Sequence, residues 1–140
     1  VNDTDGFGED DKMEEVFAEM IDKMPSDFAG DEERLRIYCS PGNARKYLRE
    51  LKKRDTALGD QASMGIIPLS FEGVKIVKVS KMPDTKIIHT LTKNLAVGYG
   101  LTMTAESQRQ AKLRATDYVV TAEVDVNYAI SKAVVLASQA

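Results

Sequence analysis

The chain has 140 residues, 43% hydrophobic and 29% charged, with 19 basic against 22 acidic side chains and a net charge of −3. That length suits one domain with a real core, and the composition is ordinary for a soluble globular protein. The slight acidity argues against a strongly electrostatic nucleic-acid binder. A single cysteine, Cys39, excludes an internal disulfide and fits a reducing compartment, and a single histidine, His89, excludes a multi-histidine metal centre. No apolar run approaches membrane-spanning length, and no signal peptide is visible. The chain starts at Val1 rather than at a methionine, which reads as a fragment or a processed product.

Residues 1–11 (VNDTDGFGEDD) are polar and acidic, and predict a flexible, poorly ordered lead-in. From Asp11 the pattern changes. Met13, Val16, Phe17, Met20, Ile21 and Met24 recur at helical spacing, Pro25 sets the stop, and Glu9, Asp10 and Asp11 suit the positive end of the helix dipole. The methionine-rich stripe reads as core packing rather than as an adaptable groove, because Met fills irregular gaps. Ser26 to Glu33 reads as a polar connection. Leu35 to Cys39 then alternates like a half-buried strand, with Cys39 facing inward. Ser40 as N-cap and Pro41 at the first position open a second helix. Its buried face is Ala44, Tyr47, Leu48 and Leu51. Arg45, Lys46, Arg49, Lys52, Lys53 and Arg54 make the rest basic, the one candidate surface for phosphate or for an acidic protein neighbour. Asp55 to Met64 is a loop of small and polar residues.

The central run from Gly65 to Gly100 predicts successive strands at Ile66 to Leu69, Val74 to Val79, Ile87 to Thr90 and Leu95 to Tyr99. Turn chemistry separates them at Glu72-Gly73, Met82-Pro83-Asp84 and Lys93-Asn94. Neighbouring apolar pairs such as Ile76-Val77 and Ile87-Ile88 predict a sheet covered on both sides. Thr102 to Ala115 fits either a short helix from Glu106 or an exposed extended segment. Tyr118 to Val126 alternates as a strand with one wetter face, and Ala133 to Ala137 reads as a last short strand. There is no internal repeat.

The inventory for chemistry is thin. Nucleophile-elbow, CxxC, HExxH and phosphate-loop motifs are absent, and Gly98-Tyr99-Gly100 lacks the helix a dinucleotide site needs. Cys39 with His89 would form a thiol–imidazole pair only if both faced one cleft beside an orienting group. Asp3, Asp5, Glu9, Asp10 and Asp11 lack calcium-loop spacing and read as solvating charge. The reading is therefore of a non-enzyme with no catalytic, cofactor-binding or metal site.

The order of features resembles the C-terminal part of a tailed-bacteriophage major capsid protein of the Hong Kong 97 type. It is carried by the strand Leu35 to Cys39, the helix opening Ser40-Pro41, Tyr47 in that helix, and the loop Asp55 to Gln61. Further along come Phe71-Glu72-Gly73, Met82-Pro83, Asn94-Leu95 and Ala133-Val134. The resemblance runs from residue 13 to the end. It implies an α+β fold in which a central, mostly antiparallel sheet is flanked by two or more helices, as in that family's axial domain. Residues 12–140 would form this single domain after the lead-in 1–11, with the final strands reaching towards a peripheral domain. The loop from Arg54 to Gln61 would lie near the capsomer axis. The family's long spine helix, extended arm and projecting loop have no counterpart here, and no cross-linking residue is assigned.

The function this implies is that of a structural coat subunit of a phage or prophage, self-associating into capsomers and a closed icosahedral shell around DNA. Its partners would be identical subunits, as pentamers and hexamers, together with scaffold or portal proteins. No membrane partner, no sequence-specific nucleic-acid contact and no cofactor are expected. It would be made in the bacterial host cytoplasm and reside in the virion capsid. The expected subunit contacts are Arg49, Lys53, Arg54, Asp55, Leu58 and Asp60. The alternative is a nucleic-acid-binding module using the basic helix 41–54.

Overall fold

The computed structural model describes residues 1–4, 6–8, 12–31, 33–53 and 68–139. The elements run β1 (Asn2–Asp3), α1 (Met13–Asp22), α2 (Ser26–Ala29), β2 (Leu35–Cys39), α3 (Pro41–Lys52), β3 (Ser70–Phe71) and β4 (Val74–Lys78). They continue with β5 (Lys86–Leu91), β6 (Leu95–Gln110), β7 (Ala115–Tyr128) and β8 (Val134–Ser138). The chain divides into two compact units, Val1–Asn94 with Ile130–Ala140, and Leu95–Ala129. β6 and β7 pair only with each other, so among the described residues no ladder joins them to the larger sheet.

The larger unit is a mixed six-stranded sheet in the order β1-β8-β5-β2-β4-β3, an α+β architecture as expected. β2–β5, β5–β8 and β3–β4 are antiparallel; β1–β8 and β2–β4 are parallel. A parallel neighbour needs a crossover, and α3 lies in the connection from β2 to β4. The tight reversal from β3 to β4 uses Glu72 at φ 46 and Gly73 at φ 84, the left-handed pair that a two-residue hairpin demands.

Register places Leu35, Ile37 and Cys39 on the same face as Ile76, Ile87, His89, Val135 and Ala137. These residues are buried, and the apolar ones join Met13, Val16, Phe17 and Met20 of α1 and Ala44 and Tyr47 of α3 in one core. Phe17 ties the layers together: its ring meets Tyr47 edge-on at 5.3 Å and Phe71 at 5.9 Å. On the opposite face Arg36, Tyr38, Val77, Ile88 and Leu136 are only half-buried. Thr90 and Val134 on that same face are nevertheless buried, so the expected cover on both sides is complete under the helices and only partial opposite them. Adjacent apolar residues such as Ile87 and Ile88 look alike in sequence, while only the first lies under the helices.

Two local readings also change. Residues 2–3, expected to be poorly ordered, form β1 beside β8, and Phe7 is buried in the core with its N–H on the Ser138 carbonyl at 3.1 Å. One aromatic residue anchors a segment whose average composition is that of a solvated tail. Within the expected polar connection, Ser26–Ala29 forms a single helical turn after Pro25, with Phe28 packed against the core.

Candidate functional site

α3 begins as its sequence predicts. Ser40 is the N-cap, its Oγ accepting the Asn43 N–H at 3.1 Å, with Pro41 at the first position. The turn after β4 is locked to this helix end. The Ser40 hydroxyl donates to the Asp84 carboxylate, and the Asn43 side-chain amide donates to the Asp84 carbonyl at 2.8 Å. Gly42 makes room for this closure, since a Cβ there would come within 2.6 Å of Asp84 Oδ1. A carboxylate at a helix N-terminus is also favoured by the helix dipole.

Beyond that turn α3 is cationic on its outer side, where Arg45, Arg49, Lys52 and Lys53 are exposed and Lys46 is half-buried. The one acidic residue of the helix points elsewhere: Glu50 Oε1 accepts the Met13 N–H at 3.0 Å, capping α1, whose own N-cap residue Lys12 makes no side-chain capping bond. Glu50 is thus turned away from the basic face. That face carries a cavity of about 300 Å³ lined by Phe7, Asn43, Arg45, Lys46, Arg49 and Asp84. Beside it is a second hollow of about 270 Å³ among Arg45, Leu48, Arg49 and Lys52. Of the expected contact residues, Arg49 and Lys53 lie exposed on or just beyond this helix, whereas Arg54, Asp55, Leu58 and Asp60 fall outside the described residues.

Cys39 and His89 do share one face of the sheet, but that face is the core. Both are fully buried; His89 Nδ1 lies 3.3 Å from the Met20 carbonyl, and its Nε2 has no partner among the described residues. Burial holds the imidazole below its ordinary 6.5, the Met20 carbonyl pulling weakly the other way. Burial likewise pushes the Cys39 thiol from 9.0 up to about 11, against the opposing effects of Lys78 and the Ala44 backbone. A protonated thiol with no access to solvent is not a nucleophile, so the pair does not form a reaction centre.

These shifts set a stability profile. Below pH 6.5 the unfolded chain takes up a proton that folded His89 refuses, so His89 costs stability as pH falls. Above pH 9.0 the unfolded chain releases a proton that folded Cys39 keeps, so stability falls as pH rises towards 11. Each limb has a slope of at most about 1.4 kcal/mol per pH unit from its one group. In urea titrations across pH, His89→Leu flattens the acid limb relative to wild type and Cys39→Ala the alkaline one. Unchanged limbs in the variants would show that neither group is responsible.

The smaller unit is a long hairpin, β6 of 16 residues against β7 of 14, closed at Ala111 to Arg114 with Arg114 at φ 50. The expected strands at Leu95 to Tyr99 and Tyr118 to Val126 are thus parts of longer ones, and of the two readings of 102–115 the extended one holds. Paired residues share a face, so Leu95, Val97 and Tyr99 lie with Tyr128, Val126 and Val124 on one side near the base. All six are exposed, Tyr99 by 71% and Val126 by 63%. The opposite side carries Ala96, Gly98, Asp125 and Asn127. The ribbon is thus amphipathic with its apolar side exposed among the described residues, and sequence alternation shows the stripe without showing whether it is covered.

Comparison with known proteins returns no matching family model and no matching curated protein. Solved structures do match. A chain titled "Mycobacterium phage Che8" overlays 96% of this chain with a TM-score of 0.73 at 13% identity. A chain of the satellite phage P4 procapsid including size determination (Sid) protein overlays 99% with a TM-score of 0.68 at 14% identity. The fold is phage capsid-like. A virus-like particle from Pyrococcus furiosus extends the capsid-like group, with a TM-score of 0.59 over 99% of the chain at 13% identity. In each case the chain spans about half of the matched protein, 52%, 41% and 54% respectively. Sequence identity this low carries the capsid-like fold and nothing finer.

Proposed function

We propose that this polypeptide does structural, non-catalytic work as part of a coat subunit of a phage or prophage, associating with identical subunits into capsomers of a closed shell around DNA. The observation that carries the reading is the bare hairpin. A two-stranded ribbon is marginal alone in water and needs a third strand, a helix or another surface on its apolar face. Here Leu95, Val97, Tyr99, Val124, Val126 and Tyr128 await such a cover. The capsid-like fold supports the same reading. Within it, Arg49, Lys53, Arg54, Asp55, Leu58 and Asp60 remain the proposed contacts around the capsomer axis, with scaffold or portal proteins as further partners. The virion capsid is its proposed location, after synthesis in the bacterial cytoplasm.

Sedimentation velocity across a concentration series tests this. The expected result is concentration-dependent association, weakened about tenfold or more by Val97→Glu with Val126→Glu, since a charge in the centre of a desolvated patch is costly. A chain that stays monomeric at every concentration counts against the coat reading. The basic hollows on α3 favour a second reading, a nucleic-acid-binding module using helix 41–54. Binding to DNA that falls steeply with salt would support it, and no binding at low salt would remove it.

A further inference from the structure

The smaller hollow on α3 is a socket for negative charge. Arg45, Arg49 and Lys52 wall it around half-buried Leu48, and among the described residues no carboxylate lines it. Arg45 and Arg49 stand one helical turn apart, about 6 Å along the axis. No ion pair among the described residues engages either of them. The hairpin carries carboxylates at a matching interval. Register puts all the acids of its strands, Glu106, Asp117, Glu123 and Asp125, on the side opposite Tyr99, Val124 and Val126. Glu106 and Asp117 lie towards the turn, near its cations Arg109, Lys112 and Arg114. Glu123 and Asp125 lie nearer the base, where neither strand has a lysine or arginine. Two residues of strand separate them by about 7 Å. Across from Asp125 stands Gly98, where an added Cβ would meet nothing closer than the Asp125 carbonyl oxygen at 3.9 Å. The hairpin's own packing does not exclude a side chain there, and an interior strand glycine leaves room for another element to come close.

We infer that the α3 hollow of one copy receives the acidic side of the hairpin of a second copy. Arg45 and Arg49 each face one of the carboxylates Glu123 and Asp125, and Gly98 leaves the space in which the helix lies close to the strands. The two patches differ, so the contact is head-to-tail: every copy offers one hollow and one acid pair, and repetition closes a ring where the rotation allows. Charges in such a contact select orientation and partner more than they add affinity. A phosphate backbone in the same hollow would have to approach a chain of net charge −3, whereas carboxylates at the matching interval are present on every copy. The contact uses the side of the hairpin that a cover on the apolar side leaves free. The inference rests on the self-association proposed above and adds a second, charge-selected contact to it.

Charge reversal in the 140-residue chain, read by sedimentation velocity, tests it. A helix variant, Arg45→Glu with Arg49→Glu, and a hairpin variant, Glu123→Lys with Asp125→Lys, each associate about tenfold or more weakly than wild type, because like charges then meet. Mixed in equal amounts the two variants associate again, to within a few-fold of wild type, since each reversed patch finds its opposite on the other variant. That rescue also shows that neither variant is merely misfolded. Gly98→Val, which meets no clash inside the hairpin, weakens association several-fold by filling the space the helix needs. Association that the reversals or Gly98→Val leave unchanged, or a mixture that stays as weak as its components, overturns this contact while leaving self-association standing. So does a helix variant that loses DNA binding yet associates like wild type, which would give the hollow to nucleic acid. A wild-type chain that never associates overturns both readings.

Discussion

Replacing Asn94 by alanine is expected to destabilise the larger unit by about 2–3 kcal/mol, because it removes three hydrogen bonds of a buried side chain at once. Asn94 is buried to 4% exposure. Its amide donates to Thr90 Oγ1 and to the Ile130 carbonyl, both at 3.0 Å, and its Oδ1 accepts the Ile130 N–H at 2.7 Å. Thr90 Oγ1 passes the chain on to the Ala133 carbonyl at 2.7 Å. One side chain thus staples residues 94 and 130, the two points at which the chain leaves the larger unit and returns to it. Amide exchange gives a direct readout. The Ile130 N–H should exchange on the order of 30-fold faster in Asn94→Ala than in wild type, while core amides of β2 and β5 follow the global change. Asn94→Asp is the sharper control: it keeps the acceptor for Ile130 N–H but sets a carboxylate oxygen against two acceptors. It should be no more stable than the alanine variant at neutral pH. An Ile130 amide that exchanges at the wild-type rate in Asn94→Ala would remove the staple from this account.

Phe17→Ala should cost more, about 3–5 kcal/mol, the range for emptying a fully buried aromatic site. Phe17 is 0% exposed and touches Tyr47 of α3 and Phe71 of β3, which themselves meet edge-on at 6.0 Å. Its loss therefore opens a cavity where both helices and the β3–β4 end of the sheet converge. With total stabilities of small domains at about 5–15 kcal/mol, this one change takes a large share of the whole. Phe17→Leu, which refills most of the volume, should cost about 1–2 kcal/mol. Urea unfolding of the two variants checks the pair. Equal, small losses would mean that the core closes over the gap and that the aromatic cluster is not the junction described here.

The features legible in the sequence are those written within a few residues. Ser40, Pro41 and Asn43 build a helix start that needs nothing distant to be recognised. Glu72-Gly73 makes its reversal because the backbone there must turn left-handed. The stripe Met13, Val16, Phe17 and Met20 is buried as its spacing predicts, since an apolar stripe has few alternatives to a core. The thiol–imidazole pair could be named from sequence but not judged. Its fate depended on both residues lying under the helices, where one stays neutral and the other stays protonated.

Most of the larger elements, the core stripe and the absence of catalytic motifs were determined by the sequence alone, because spacing and turn residues act over one or two turns of chain. Which strand face is covered, which carboxylate caps which helix and which ribbon stays bare were decided only by the tertiary structure. Those choices join Met13 to Glu50 across 37 positions, Asn43 to Asp84 across 41, and Asn94 to Ile130 across 36. Ile87 and Ile88 are the same residue in the same strand, yet the helices bury one and leave the other half-exposed. Hydrophobicity sets how much apolar surface must be hidden, and only the packing of distant segments sets where.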